Sequence, residues 1–257
     1  MAKFGVGQSV KRKEDDDLLR GTGTFQEDLD LPGQAYAHFL RSPHAHADIE
    51  GVDTAAAAAM PGVVAIFTGA DVEADGLGTV PCVMDAFVPL ERPGGEPRYY
   101  PPNYLLPSAR VRHAGEAVAM VVAETPGEAR DAVEAIAVAY KALPHVVETE
   151  RAEAPDAPQI WEEAPGNLSF VWQHGDKAAV DAAFETAAHK VEVDLVNSRL
   201  IVNPIETRGA LGEYDAASGR YTLHTNTQHP FETRAIIHKI LGVDEKDLRI
   251  LSPQLGG

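Results

Sequence analysis

Ala117-Val118-Ala119-Met120-Val121-Val122-Ala123, then Thr125-Pro126-Gly127-Glu128, then Ala137-Val138-Ala139-Tyr140 are the residues on which the fold of this chain turns. Seven apolar residues in succession leave no face for water, so the first of these stretches reads as a buried strand. Thr125 is a capping residue, Pro126 stands at the first helical position, where a missing N–H is harmless, and Glu128 lies three residues after the cap. A helix should therefore run to about Glu134 or Ala135, and the chain should return as strand at Ala137. Strand, helix, strand in this order describes a compact α/β unit. It is expected to pack with the strands around Tyr36 and Val63.

Upstream, Tyr36 to Leu40 alternates as a strand does, after a Pro32-Gly33 turn. Asp53 to Met60 reads as a short helix that Asp53 or Thr54 can cap and Pro61-Gly62 stop, followed by a buried strand at Val63–Phe67. Gly76 to Pro107, rich in glycine and proline, reads as a long ordered loop. Nearer the start, Lys11-Arg12-Lys13 and Glu14-Asp15-Asp16-Asp17 form a solvated helix or turn entering Leu18-Leu19. Gly21-Thr22-Gly23 begins like a dinucleotide loop, but Gln26 stands where a third glycine is needed and no buried strand precedes it.

Downstream, Glu148 to Pro165 is acidic and carries Pro155, Pro158 and Pro165, the composition of an interdomain linker. After Asn167, Asp176 to Ala188 reads as helix and Val191 to Leu200 as a long alternating strand. Gly209–Tyr214 and Arg220–Thr225 read as a hairpin around Asp215-Ala216-Ala217-Ser218-Gly219. Thr227-Gln228-His229-Pro230 opens a helix ended by Gly242, with Ile236, Ile237, Ile240 and Leu241 as its apolar face. Leu248–Leu251 is an apolar strand, and Ser252-Pro253-Gln254-Leu255-Gly256-Gly257 follows it. Glycines directly after a buried strand mark a turn that comes close to a ligand, because without Cβ the backbone admits both positive φ and close contact. Cut at its second glycine, the chain is expected to be the opening portion of a longer reading frame.

Composition narrows the class. A net charge of −17 argues against nucleic acid or an anionic membrane as partner, since both require a concentrated positive surface. The N-terminus has no apolar stretch of signal-peptide length, and no segment approaches ~18 uninterrupted apolar residues, so a cytoplasmic location is expected. The single cysteine, Cys82, excludes an internal disulfide and cannot hold an iron–sulfur cluster, which normally takes four thiolates. Its setting, Val80-Pro81-Cys82-Val83-Met84, suggests a buried, inert thiol.

Several separate segments, in order, carry a family resemblance. They are Gly5-Val6-Gly7-Gln8-Ser9-Val10-Lys11-Arg12-Lys13-Glu14-Asp15 and Leu19-Arg20-Gly21-Thr22-Gly23. Phe39-Leu40-Arg41-Ser42-Pro43-His44-Ala45-His46-Ala47, Met60-Pro61-Gly62-Val63 and Phe67-Thr68-Gly69-Ala70-Asp71 follow. Val111-Arg112-His113-Ala114-Gly115-Glu116-Ala117-Val118-Ala119, Glu124-Thr125 and Pro204-Ile205-Glu206-Thr207-Arg208-Gly209-Ala210 with Glu213-Tyr214-Asp215 complete the series before Thr227-Gln228 and the final glycines. Together they resemble the large subunit of the molybdenum hydroxylases: xanthine dehydrogenase, aldehyde oxidase and aerobic carbon monoxide dehydrogenase.

The resemblance implies an α+β chain. An α/β hammerhead domain with an N-terminal extension would span 1–147, a linker 148–166, and the incomplete first part of a molybdopterin-binding domain 167–257. It implies an oxidoreductase subunit that hydroxylates an aldehyde or N-heterocycle, or oxidises carbon monoxide, and is inactive in isolation. The molybdenum–pterin cofactor, expected as the molybdopterin cytosine dinucleotide, would belong to the full enzyme, and this portion alone would bind none. FAD and 2Fe-2S clusters would lie on partner chains or domains: an iron–sulfur small subunit and an FAD medium subunit, in a dimer of heterotrimers. Gln228 matches the glutamine that donates its amide to an oxo ligand of molybdenum, a role suited to a neutral two-donor side chain. Gly256 and Gly257 match the first glycines of the Gly-Gly-Gly-Phe-Gly cofactor loop. No catalytic base and no direct metal ligand falls within these residues.

Four alternative readings remain at the level of sequence. Gln228 can instead cap the helix opened by Pro230. His44, His46 and Asp48, alternating along a strand, would share one face and could ligate a metal as in hydrolases, although Pro43 weakens that strand. Glu206 and Arg208 read as an ion pair or hydrogen-bonded support rather than an acid/base pair. The chain as a whole can also be a non-catalytic assembly or docking module derived from such a subunit.

Overall fold

The computed structural model describes residues 7, 9–82, 90–197 and 201–257. In chain order they form α1 (Asp15–Arg20), β1 (Tyr36–Arg41), β2 (Ala47–Asp53), α2 (Ala55–Ala58), β3 (Val63–Thr68) and α3 (Gly69–Ala74). The short strands β4 (Glu91–Arg92), β5 (Glu96–Pro97) and β6 (Arg110–Val111) lead to β7 (Ala117–Ala123), α4 (Pro126–Glu134) and β8 (Ala137–Ala142). Then come α5 (Lys177–Thr186), β9 (Ala210–Asp215), β10 (Arg220–Thr225), α6 (Pro230–Leu241) and β11 (Leu248–Leu251). The class is α+β, with two compact units: Ala35–Ile201, and Met1–Gln34 together with Val202–Gly257. No helix among the described residues is long and apolar enough to cross a membrane.

In the first unit β7 is a central strand, antiparallel to β1 on one edge and β3 on the other. Val118 and Val121 are fully buried, as seven apolar residues in a row require. Thr125 accepts the Glu128 N–H at 3.2 Å and so starts α4. Ala129, Ala132 and Val133, at the i, i+3, i+4 spacing of one helix face, are buried, and Ala132 and Val133 share a core with Ala119, Val121 and Ile136. β8 does not rejoin this sheet. Both edges of β7 are taken, and β8 pairs instead with β2, which is flanked by β6 on its other side. The strand–helix–strand segment thus links two antiparallel three-stranded sheets, and Leu40 and Val138 pack into the cores of both.

Other expectations meet the structure unevenly. The Asp53–Met60 helix shortens to α2, with Asp53 Oδ1 accepting the Ala55 N–H at 3.0 Å. Cys82 is exposed rather than buried. It lies in the glycine- and proline-rich segment, and Arg98 Nη2 sits 2.9 Å from its Sγ. Its neighbours Val83 and Met84 lie outside the described residues. The proline-bearing stretch before Asn167 is ordered: the Asn167 amide donates to Ala152 O (2.8 Å) and Pro158 O (3.0 Å) and accepts from Ile160 N (2.9 Å). Arg112 stacks 3.6 Å over the Trp161 ring in the same stretch. The helix at Asp176 forms as α5, capped by Asp176 Oδ1 on Ala179 N at 2.9 Å. The strand expected from Val191 does not form across 191–197, which are all exposed, and 198–200 lie outside the described residues. Alternation makes a strand only where a partner supplies hydrogen bonds.

The second unit holds the sheet β11-β10-β9. β9 and β10 form the expected hairpin, its loop fixed by Asp215, which accepts from Ala217 N (3.0 Å) and Ser218 Oγ (2.6 Å). β10 and β11 are parallel, so the chain must cross over between them, and α6 is that crossover. Gly242, left-handed at φ 65°, ends α6.

The packing predicts the effect of three substitutions. Thr125→Ala removes the α4 cap and should lower stability by about 1 kcal/mol in urea denaturation. In Gly69→Ala the added Cβ would lie 2.5 Å from Ser108 N and 2.6 Å from Pro107 C, backbone atoms that cannot swing aside. It should destabilise by about 1–3 kcal/mol. Gly51→Ala, entering open space, should stay within about 0.5 kcal/mol of the parent.

Candidate functional site

Parallel pairing from Tyr221↔Leu248 to His224↔Leu251 makes β10 and β11 end at the same edge of their sheet. The segments leaving those ends are Asn226–Pro230 and Ser252–Gly257. In open sheets with helical crossovers, the crevice outside the carboxyl ends of parallel strands is where ligands bind.

Asn226 secures the first segment, accepting the Gly209 N–H at 3.0 Å and donating to Thr207 O at 2.7 Å. Thr225 Oγ1 donates to Gly209 O at 2.8 Å. Thr227 Oγ1 accepts the His229 N–H at 3.1 Å and lies 3.0 Å from Thr233 Oγ1, so the start of α6 is organised by Thr227. Ser252 Oγ donates to Thr227 O at 2.9 Å, which ties the two segments together. Gln228 does not cap the helix. Its side chain is exposed and its amide makes no hydrogen bond among the described residues, so two donors and an acceptor face outward.

The second segment is laced on both sides. Gln254 N donates to Thr24 O (3.1 Å) while Thr24 N donates to Gln254 Oε1 (2.8 Å). Gly23 makes room for that amide, since a Cβ there would lie 2.5 Å from Gln254 Oε1. Gly256 N donates to Glu206 Oε2 at 2.5 Å, and Gly257 O accepts from Ile205 N at 2.9 Å and Glu206 N at 3.4 Å. Glu206 Oε1 is buried with no partner. A Cβ on Gly257 would meet nothing within 4 Å, whereas one on Gly256 would lie 2.8 Å from Glu206 Cβ. Glu206 and Arg208 form no ion pair among the described residues; Glu206 serves the backbone instead. The links Glu206–Gly256 and Thr24–Gln254 span 50 and 230 residues, and neither leaves a local signal in sequence.

The alternative metal cluster is not assembled. His44 and His46 precede β2 rather than lie on it, so the alternation of a strand does not apply to them. The His44 ring lies 4.9 Å from the Tyr140 ring, and His46 Nδ1 is 2.8 Å from Pro144 O. Asp48 accepts from Arg110 Nε at 2.6 Å, a hydrogen bond that holds its carboxyl below the usual value. Among the described residues no group of three or more His, Cys, Asp or Glu side chains is placed to hold a metal ion.

Comparison with known proteins matches residues 20–144 to the aldehyde oxidase and xanthine dehydrogenase a/b hammerhead domain, and 160–257 to the molybdopterin cofactor-binding domain. The nicotine 6-hydroxylase large subunit of Paenarthrobacter nicotinovorans is 36% identical over 254 residues, covering 98% of this chain and 29% of that protein. The carbon monoxide dehydrogenase large chain of Hydrogenophaga pseudoflava is 31% identical over 269 residues, covering 100% of this chain and 32% of its own. The crystal structure of quinoline 2-oxidoreductase from Pseudomonas putida 86 superimposes with a TM-score of 0.85 at 33% identity, over 100% of this chain and 31% of the other. The chain thus spans about three tenths of the length of these relatives. With both portions matched in order along almost its whole length, the chain belongs to the aldehyde oxidase and xanthine dehydrogenase family of molybdenum hydroxylases and corresponds to the first part of their large subunits.

Proposed function

We propose that this chain is the first portion of the large subunit of a molybdenum-cofactor oxidoreductase that hydroxylates an aldehyde or N-heterocycle, or oxidises carbon monoxide, and that it is inactive in isolation. The observation that carries the reading is the free, exposed Gln228 amide on the loop leaving β10, with the Gly256-Gly257 turn tied into the same strand-end crevice. These residues suit the cofactor: an unused two-donor amide, and at Gly257 a glycine backbone with open space where a side chain would stand. When bound, the molybdenum cofactor supplies oxidation of an electron-poor carbon. Gln228 would donate its amide N–H to an oxygen ligand of the metal. Gly256 and Gly257 would let the backbone come close to the cofactor. A neutral amide orients such a ligand without adding charge.

The partners proposed with it are the rest of the large subunit, an iron–sulfur subunit and an FAD subunit, assembled as a dimer of heterotrimers. The relatives named as large subunits or large chains support this, and the single cysteine leaves iron–sulfur ligation to other chains.

Gln228→Ala tests the site in the enzyme assembled from this chain, the rest of the large subunit and the partner subunits. Activity per bound molybdenum should fall on the order of 10–100-fold. The melting temperature should hold, because no hydrogen bond among the described residues is lost. Unchanged activity per molybdenum would remove Gln228 from the cofactor site.

A second experiment tests inactivity in isolation. The chain purified from a host that makes molybdenum cofactor should carry far less than stoichiometric molybdenum by mass spectrometry. It should reduce no dye with an aldehyde, a purine or carbon monoxide. Stoichiometric metal with turnover would overturn this part of the proposal.

A further inference from the structure

We infer that Glu206 is the positioning residue of the glycine turn, the group that sets the path of Gly256-Gly257. Residues 205 and 206 hold this dipeptide at both ends: the Glu206 carboxylate takes the Gly256 N–H, while the backbone N–H groups of Ile205 and Glu206 converge on Gly257 O. A carboxylate accepting a backbone N–H makes a short, charge-assisted bond, stronger than the amide–carbonyl bonds of the neighbouring sheet. The contact is also close enough to restrict position 256. A Cβ there would lie 2.8 Å from Glu206 Cβ and 3.1 Å from Oε2, so the carboxylate and the absent side chain fit only together.

Among the described residues no other side chain holds this dipeptide: Ser252 and Gln254 anchor the segment before it, to Thr227 and Thr24. The second carboxylate oxygen, Oε1, is buried without a partner, so the side chain keeps one acceptor unspent beside the turn. Glu206 acts through the backbone it holds, and its bearing on the cofactor rests on the site proposed for Gln228 and the glycines.

The test uses the chain labelled with ¹⁵N and reads amide hydrogen exchange at Gly256, with Ile250 in β11 as internal reference. Glu206→Ala should speed exchange at Gly256 by roughly 10-fold or more, the effect of losing a hydrogen bond to a charged group, and leave Ile250 unchanged. Glu206→Gln keeps an acceptor at the same reach and should restore most of the protection. Should the alanine variant fail to fold, Glu206→Gln and Glu206→Asp are compared alone. Asp, one methylene shorter, should lose Gly256 protection that Gln retains. Unaltered Gly256 exchange in every folded variant would overturn the assignment. So would equal acceleration at Gly256 and Ile250, which would mean that Glu206 supports the unit as a whole. This readout involves no cofactor, so its failure is separate from failure of Gln228→Ala in the assembled enzyme.

Discussion

Parallel pairing of β10 with β11 is the constraint on which the candidate site depends. Parallel neighbours cannot be joined by a tight turn, so the chain leaves β10, runs through α6 and re-enters at Leu248, and both strands then discharge their loops at one edge. One loop begins with Thr227-Gln228 and the other runs to Gly256-Gly257. An antiparallel pair would put them at opposite edges, and Ser252 could not reach Thr227. The polar residues at the site refine an adjacency that the strand direction creates.

What the sequence reveals about the fold is what local physics decides. Seven apolar residues place β7, the Thr125-Pro126-Glu128 arrangement places the start of α4, Gly242 ends α6, and Leu248, Ile250 and Leu251 mark β11. Each depends on residues within one turn or one strand. Sheet membership depends on which edges are free, and that is invisible locally: β8 leaves β7 because β1 and β3 already flank it. The same limit explains Val191 to Val196, whose alternation describes a strand while no strand forms across these exposed residues. Cys82 misleads for a related reason. Apolar neighbours in sequence do not cover a thiol unless a second layer lies over them.

His44, His46 and Asp48 show how a metal-like spacing can dissolve in three dimensions. Alternation aligns side chains only on a strand, and β2 starts at Ala47, after both histidines. Each side chain then finds its own partner: an aromatic ring, a carbonyl and a guanidinium. A buried imidazole bonded to a carbonyl and a carboxylate paired with arginine are two common ways of satisfying polar groups within a fold.

The site itself was legible only in part, and the division falls between sequence-local and long-range chemistry. Gln228 can be singled out from its place between a strand and a proline-led helix, but its role there is ambiguous, because a polar side chain before Pro230 can cap. The structure removes the capping reading through its neighbour. Thr227 holds the His229 N–H and meets Thr233, so the start of α6 is secured without the amide. A short hydroxyl takes the local task, and the longer side chain is left free to reach outward. Glu206 is the converse case. Nothing near it in sequence signals a partner, yet across 50 residues it meets the one backbone N–H that an additional methyl at Gly256 would displace. Glycine at 256 and glutamate at 206 are thus two halves of one geometric requirement.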